Sequence, residues 1–412
     1  MITIKAFKGV RPDKEFALKV ASPPYDVVNS EEAREIAKDN LFCFLHVVKP
    51  EIDLDPNLNP YDERVYQKGK ENLYSLIKKG ILVQDKEDHL YIYRQKMGDH
   101  VQTGIVACSS ADDYMEDRIK KHELTREVKE KDRIKHVYTL NANTGPVFLT
   151  YKAINKIDKI VAEAVKNKPV YDFVSDDGVK HTFWVIENKI TIDQLINEFS
   201  KIDRVYVADG HHRSASAAKV RDVKKAENPD HSGNEEYNYF LSVLFPHNQL
   251  AIMPYNRVVK DLNGMTKNVY LEKISTNFEI VEKGLKKPSA KHFICMYLDG
   301  QWMTLKAKSS IIMEKDPVKS LDVSILQDNL LTPVLGIGDP RKDDRIDFIG
   351  GIRGTDELEK LVNSRKFAIA FSMYPTSVEQ LIAIADAGKL MPPKSTWFEP
   401  KLKSGLVIHL LD

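Results

Sequence analysis

The chain has 412 residues, 42% hydrophobic and 29% charged, with 61 basic and 60 acidic side chains and a formal net charge of +1. That length exceeds one ordinary core, so two or three domains of roughly 100–200 residues are expected. The charge balance argues against a broad basic field for nucleic acid and an acidic disordered tail, and no stretch of about 20 apolar residues offers a membrane span.

Residues 1–88 read as an α/β region. "ITIKAF" opens it, and the double proline of "VASPPYDVV" (20–28) forces an extended turn carrying Tyr25 and Asp26. "SEEAREIAKDN" (30–40) has the acidic first turn of a helix. "LFCFLHVVKP" (41–50) reads as a buried strand, and 61–82 as a helix closed by Gly80. In the next region, 89–261, strands are expected over 90–97, 100–110, 145–151, 180–188, 204–210, 237–245 and 250–259. Helices are expected over 120–143, 153–167 and 192–202. The third region, 262–412, mixes strands such as 292–298 with helices such as 377–388. Strands and helices are mixed without strict alternation, so the fold class is α+β. Cys43, Cys108 and Cys295 lie far apart in apolar stretches and read as reduced thiols. With no signal-peptide pattern at "MITIKAFKGVRP", a cytoplasmic location is expected.

The stretch that carries chemistry is "VADGHHRSASAAKV" (207–220). An apolar strand runs into Asp209, Gly210 allows a tight turn, and a helix begins near His211 or His212. The first N–H groups of such a helix lack partners and sit at the positive end of its dipole, which suits a phosphate. Arg213 adds a two-pronged donor for phosphate oxygens, and the two histidines add ring N–H groups. Asp209 repels phosphate, so its expected role is to hold a Mg²⁺ ion that bridges to one. A capped helix with a surface histidine pair would explain less of this run.

"KHELT" (121–125) places His122 beside Glu123 in a polar helical stretch. A zinc helix of the HExxH kind would need histidine where Arg126 stands. Glu123 can instead take a hydroxyl proton during phosphoryl transfer, with His122 as its neighbour. Read alone, the segment is a solvated helix with ion pairs such as Glu127 with Lys131. "NANTGP" (141–146) offers Asn143 on a ligand-facing loop. "PYNRVV" puts Arg257 on a strand, where it can meet a carboxylate. "MPPKSTWFEPKLKSGL" (391–406) offers Lys394 and Lys401 as cations over an anion, or a rigid loop that packs Trp397 and Phe398.

His-Glu followed by strand, Asp-Gly-His-His-Arg and helix is similar to the ParB/sulfiredoxin-like fold and, more closely, to the free serine kinases of that superfamily. Nearly the whole chain also resembles the DUF1015 family, through "FKGVRP", "ASPPYDVV", "FLHVVKPEIDL", "HELT", "NANTGPVFLTY", "ADGHHR", "PYNRVV" and "MPPKSTWFEPKLKSGL". The resemblance implies a ParB/sulfiredoxin-like nucleotide-binding core over 89–261 with added N- and C-terminal regions. It implies a kinase that moves the terminal phosphoryl of ATP, or of ADP, to free L-serine. Glu123, Asp209 and His211 are then expected to be catalytic, with Asp209 the ligand of Mg²⁺. Gly210, His211, His212, Arg213 and Lys394 would bind the nucleotide phosphates, and His122, Arg257 and Asn143 the acceptor. No nucleic-acid or membrane partner is expected, and a homo-oligomer is compatible with this reading. Two alternatives stand beside it: a nucleotide-binding regulator without activity, and a metallohydrolase using His122, His211, His212 and Asp209.

Overall fold

The computed structural model describes residues 1–412. The three regions expected from the sequence fold as two units, one of residues 1–250 with 400–412 and one of residues 251–399. No helix is long and apolar enough to cross a membrane.

The first unit is built on a nine-stranded mixed sheet. Its strands are β1 (Ile4–Lys5), β4 (Leu90–Met97), β5 (His100–Ser110), β6 (Ile119–Lys120), β8 (Val147–Tyr151), β9 (Tyr171–Val174), β10 (Lys180–Ile186), β11 (Val205–Asp209) and β12 (Tyr239–Pro246). Short strands β2 (Val10–Pro12) and β3 (Leu82–Gln84) pair with each other, and β7 (Ala142–Asn143) pairs with the C-terminal strand His409–Leu410. The main order is β6-β11-β8-β12-β5-β4-β10-β9, with β1 on β5. β12 lies parallel to β8 and antiparallel to β5, and its residues 240–246 are all buried. That run, apolar but for Ser242, is what a strand covered on both faces requires. Residues 1–88 are thus tied into this unit through β1.

The helices of this unit are α1 (Ala17–Val20), α2 (Ser30–Ala37), α3 (Leu45–Val48), α4 (Glu63–Lys78), α5 (Ala111–Met115), α6 (Glu127–Leu140), α7 (Asn155–Ala164), α8 (Lys189–Phe199) and α9 (His211–Glu227). One core packs Ile157, Leu195, Phe199 and Ala218 from α7, α8 and α9 against Ile92, Leu149, Val207 and Leu244 of the sheet. A second core gathers Val20, Phe44, Val47, Leu73, Leu140 and Ile408.

Two local expectations are corrected. Residues 41–50 are no strand: α3 and a 3₁₀ turn from Pro50 occupy that stretch. A short apolar run does not distinguish strand from helix, and here Leu45, Val47 and Val48 are all buried on one turn. The polar helix expected over 120–143 begins only at Glu127, after β6 and a loop. His122 and Glu123 therefore stand on the loop rather than on the helix. The helix ends at Asn141, in the left-handed conformation that commonly closes helices.

The second unit holds a six-stranded sheet. Its elements are β13 (Ala251–Met253), β14 (Tyr255–Val259), β15 (Phe278–Lys283), β16 (Phe293–Leu298), β17 (Gln301–Ala307), β18 (Ile346–Gly350), β19 (Ile369–Ser372) and β20 (Trp397–Glu399). The sheet order is β15-β17-β16-β19-β14-β18, and β13 pairs with β20 apart from it. Val258, Cys295, Tyr297, Trp302, Leu358 and Phe367 form its core. Ser377 and Gln380 cap the helix Val378–Asp386 reciprocally, within the 377–388 expected.

Candidate active site

β11 delivers the functional run. Val205–Ala208 are buried, and the pairing with β8 shifts register between Val207 and Asp209. Such a bulge re-aims the side chains that follow it. Gly210 then takes φ +92° and ψ 31°, a left-handed conformation that costs a side-chain-bearing residue about 1–2 kcal/mol. α9 starts at His211, and its first intrahelical bond joins Ser214 N–H to the Gly210 carbonyl at 3.0 Å. The N–H groups of residues 211–213 thus have no intrahelical acceptor.

Asp209 is held from two sides. Its Oδ1 accepts the Gly210 N–H at 2.8 Å, and its Oδ2 accepts the Lys401 ammonium at 2.8 Å. Burial pushes the Asp209 carboxyl up, but Lys401 and Arg213 outweigh it and hold the group below the usual carboxylate range. Lys401 comes from a C-terminal strap that the sheet fixes in place. Gln95 on β4 donates to the Lys401 carbonyl at 2.9 Å, and Gln102 on β5 supports Gln95 at 3.0 Å. Ser404 and Ser22 exchange backbone hydrogen bonds at 2.9 and 3.1 Å. Gly405, at φ +90°, lets the strap pass Phe44 where a Cβ would come within 2.8 Å of that ring.

His122 and His211 meet edge to face with ring centroids 4.4 Å apart. The donor atoms of His122, Glu123 and His211 all lie within 4.8 Å of one another, with both histidines buried and Glu123 exposed. Neither ring nitrogen of His122 and not Nε2 of His211 makes a well-formed hydrogen bond. Burial holds His122 well below the usual imidazole range and His211 down to about 4, although Asp209 pulls both upward. At neutral pH both rings are uncharged.

Residues 4–324 match the model of a family described as "Protein of unknown function (DUF1015)". The chain belongs to the DUF1015 family. None of the curated proteins matches its sequence. Among solved structures it is similar to a free serine kinase in complex with AMP, at 12% identity and TM-score 0.35 over 74% of this chain and 91% of that one. It is also similar to C-terminally truncated SbnI from Staphylococcus aureus, at 12% identity and TM-score 0.36 over 71% and 82%. A conserved hypothetical protein from Pyrococcus furiosus matches at 12% and 0.33 over 72% and 90%. Likeness this loose carries no chemistry, which rests on the side chains themselves.

In this DUF1015 chain, His122, Glu123 and His211 lie together, and Asp209 and Gly210 precede His211 at the head of α9. His212 is half-buried with Nδ1 unpartnered, and burial holds its ring below the usual range. Arg213 differs from the expected phosphate fork. One terminal nitrogen donates to the Pro146 carbonyl at 2.5 Å and the other lies 3.5 Å from Asp26, leaving only Nε unpartnered. The guanidinium faces the Tyr25 ring at 5.9 Å, and Arg133 faces the same ring at 4.1 Å. Tyr25, Arg133 and Arg213, with Asn143 and Ser404, border a cavity of about 30 Å³, room for little more than a water. Asn143 acts there as a clamp: its Oδ1 accepts from Leu241 N–H and pairs with His409, both at 3.1 Å.

Lys394 and Arg257 belong to the second unit. Arg257 is 3% exposed, donates to the carbonyls of Tyr255 and Lys394, and faces the Phe348 ring at 5.4 Å. Its fork is spent on that unit's own main chain. Of the two lysines the sequence singles out in 391–406, it is Lys401 that reaches Asp209.

Proposed function

We propose that this protein is a phosphotransferase, with a ParB/sulfiredoxin-like core, that moves the terminal phosphoryl group of ATP or ADP to the hydroxyl of free L-serine. The observation that carries the reading is the meeting at one place of an N-terminal helix turn, the Asp209–Lys401 pair and Glu123. Phosphoryl transfer needs positioned charge more than covalent help from the protein. The open N–H groups of α9 and the unpartnered His211 and His212 nitrogens receive phosphoryl oxygens. Lys401 offsets their negative charge.

Glu123 takes the acceptor's hydroxyl proton as the serine oxygen bonds to phosphorus. The bond from phosphorus to the bridging oxygen breaks, and that oxygen leaves on the shortened nucleotide with its electron pair. Asp209 fits Mg²⁺, since it is an ionised, partly exposed carboxylate beside a phosphate site, and such sites hold the ion through one or two carboxylates plus phosphates. The ion, when bound, supplies charge neutralisation. The choice of serine rests on the likeness of the Asp-Gly-His-His-Arg run to free serine kinases.

Glu123→Gln tests the assignment. Phosphoserine formation, followed by mass spectrometry, is expected to fall by about 10²–10⁴, the usual contribution of a positioned base. Nucleotide affinity, measured by calorimetry, is expected to hold. Wild-type protein that forms no phosphorylated product from ATP or ADP with serine and Mg²⁺ would overturn the reading. An unchanged rate in the variant would remove Glu123 as base.

A further inference from the structure

We propose that His122, His211 and Glu123 form a binding site for a first-row transition-metal ion of the Zn²⁺ or Co²⁺ kind, distinct from the Mg²⁺ role given to Asp209. Three observations carry it. The donor atoms of these three residues lie within 4.8 Å of one another. His122 is 1% exposed and His211 8%, yet three of their four ring nitrogens lack a well-formed hydrogen bond, His122 having only the Val207 carbonyl within reach. A buried polar atom left unmet costs about 1–3 kcal/mol, so an arrangement that strands three of them in one spot calls for a ligand. Two imidazoles and one carboxylate are the donor set that binds zinc and its neighbours while leaving a position open to water or substrate. Mg²⁺ prefers oxygen ligands and is poorly served by two imidazoles.

The elements hold the set in place. His122 follows β6, which runs parallel to β11, and His211 opens the helix that follows β11. Adjacent parallel strands therefore bring the two rings together. A tetrahedral ion with bonds of about 2 Å holds its donors about 3.3 Å apart, so donors already within 4.8 Å of one another need draw in only slightly around a common centre.

The inference stands apart from the phosphoryl-transfer reading, with two links. Glu123 cannot ligate an ion and take a proton at once, and Nε2 of His211 cannot ligate an ion and receive a phosphoryl oxygen at once, so an ion at this site is expected to suppress transfer.

The test uses the full chain, stripped with chelator and titrated with Co²⁺ and with Zn²⁺ in the absence of nucleotide. One ion per chain is expected, with the ligand-field bands of low-coordinate Co²⁺. Each of His122→Ala, His211→Ala and Glu123→Gln is expected to weaken binding by at least about tenfold, with His122→Gln as a bulkier variant should the alanine fail to fold. Asp209→Asn is expected to leave Co²⁺ binding within about threefold, because it removes no ligand of this set. Wild-type protein that binds neither ion in a one-to-one ratio overturns the proposal whatever its kinase activity. So does binding that survives both histidine substitutions in folded protein. Protein that binds the ion but, when stripped of it, forms no phosphoserine from ATP or ADP with serine and Mg²⁺ sinks the kinase reading and leaves the metal site standing.

Discussion

Replacing Lys401 with methionine isolates the ion pair that closes the site. The pair is 2.8 Å long, with Lys401 19% and Asp209 32% exposed. Removing one partner of a fully buried pair costs about 3–5 kcal/mol, whereas an exposed pair is worth about 0–1. These exposures place the loss between the two, about 2 kcal/mol, with Asp209 left in a half-buried site without its cation. The sign with pH follows from the depressed carboxyl. A carboxylate held below its unfolded value stabilises above that value, about 3.9, and loses the contribution as the pH falls through the folded one. Urea unfolding of wild type and Lys401→Met should therefore differ by a constant amount from about pH 5 to pH 8, and the gap should close below about pH 4. Lys403→Met is the control. Its ammonium lies 2.6 Å from Asp177, which is 51% exposed, so its loss should stay within about 1 kcal/mol. Equal stability of Lys401→Met and wild type at pH 7 would refute the pair. A gap that persists undiminished in acid would assign the effect to packing of the lysine stem instead.

Two glycines separate strain from collision. Gly210→Ala meets only the left-handed backbone and should cost about 1–2 kcal/mol, whereas Gly405→Ala also drives a Cβ into Phe44 and should cost about 2–5 in the same urea assay; equal losses would contradict the close approach. Arg213→Lys should lower the melting temperature more than it weakens nucleotide binding, because its terminal nitrogens serve Pro146 and Asp26; unchanged melting with lost nucleotide affinity would return Arg213 to the phosphates. His211, held down by burial to about 4, is protonated later than in the unfolded chain. The unfolded state then binds more protons between about pH 6.5 and 4, and stability should fall by about 3 kcal/mol across that window. Its imidazole resonance should show no titration near neutral pH, and a midpoint near 6.5 would contradict the burial.

The parts legible in the sequence are those whose cause is local. An apolar run ending in Asp-Gly and followed by small residues reads as strand, left-handed turn and helix, and 205–227 folds that way. The polar stretch at 120–143 misleads because charged residues satisfy helix and loop alike; only tertiary pairing of β6 with β11 pulls residues 119–120 out of the helix. Arg213 has the right type for a phosphate site, but where its fork points is decided by the carbonyl of Pro146, far away in the chain. Lys401 is the partner that sequence spacing could not single out. It stands 192 residues from Asp209, and what selects it over Lys394 is the anchoring of its carbonyl by Gln95.

The distribution of unmet polar atoms argues for a ligand more strongly than any single motif. Buried side-chain atoms without a partner occur singly on His89, His136, Asn141, Arg221 and Ser324, but five are concentrated on His122, His211, His212 and Arg213. At about 1 kcal/mol or more each, that concentration rivals the whole stability of a marginal domain, about 5–15 kcal/mol. The nearby Tyr66 and Arg133 both donate to the Asp132 carboxylate, through bonds of 3.0 and 2.9 Å. His211, His212 and Arg213 at the mouth of α9, with His122 on the neighbouring loop, therefore keep polar atoms open at a cost. Phosphoryl oxygens at α9 and a metal ion between His122 and His211 complete subsets that share only His211, and the Co²⁺ and nucleotide titrations read His122 and His212 separately.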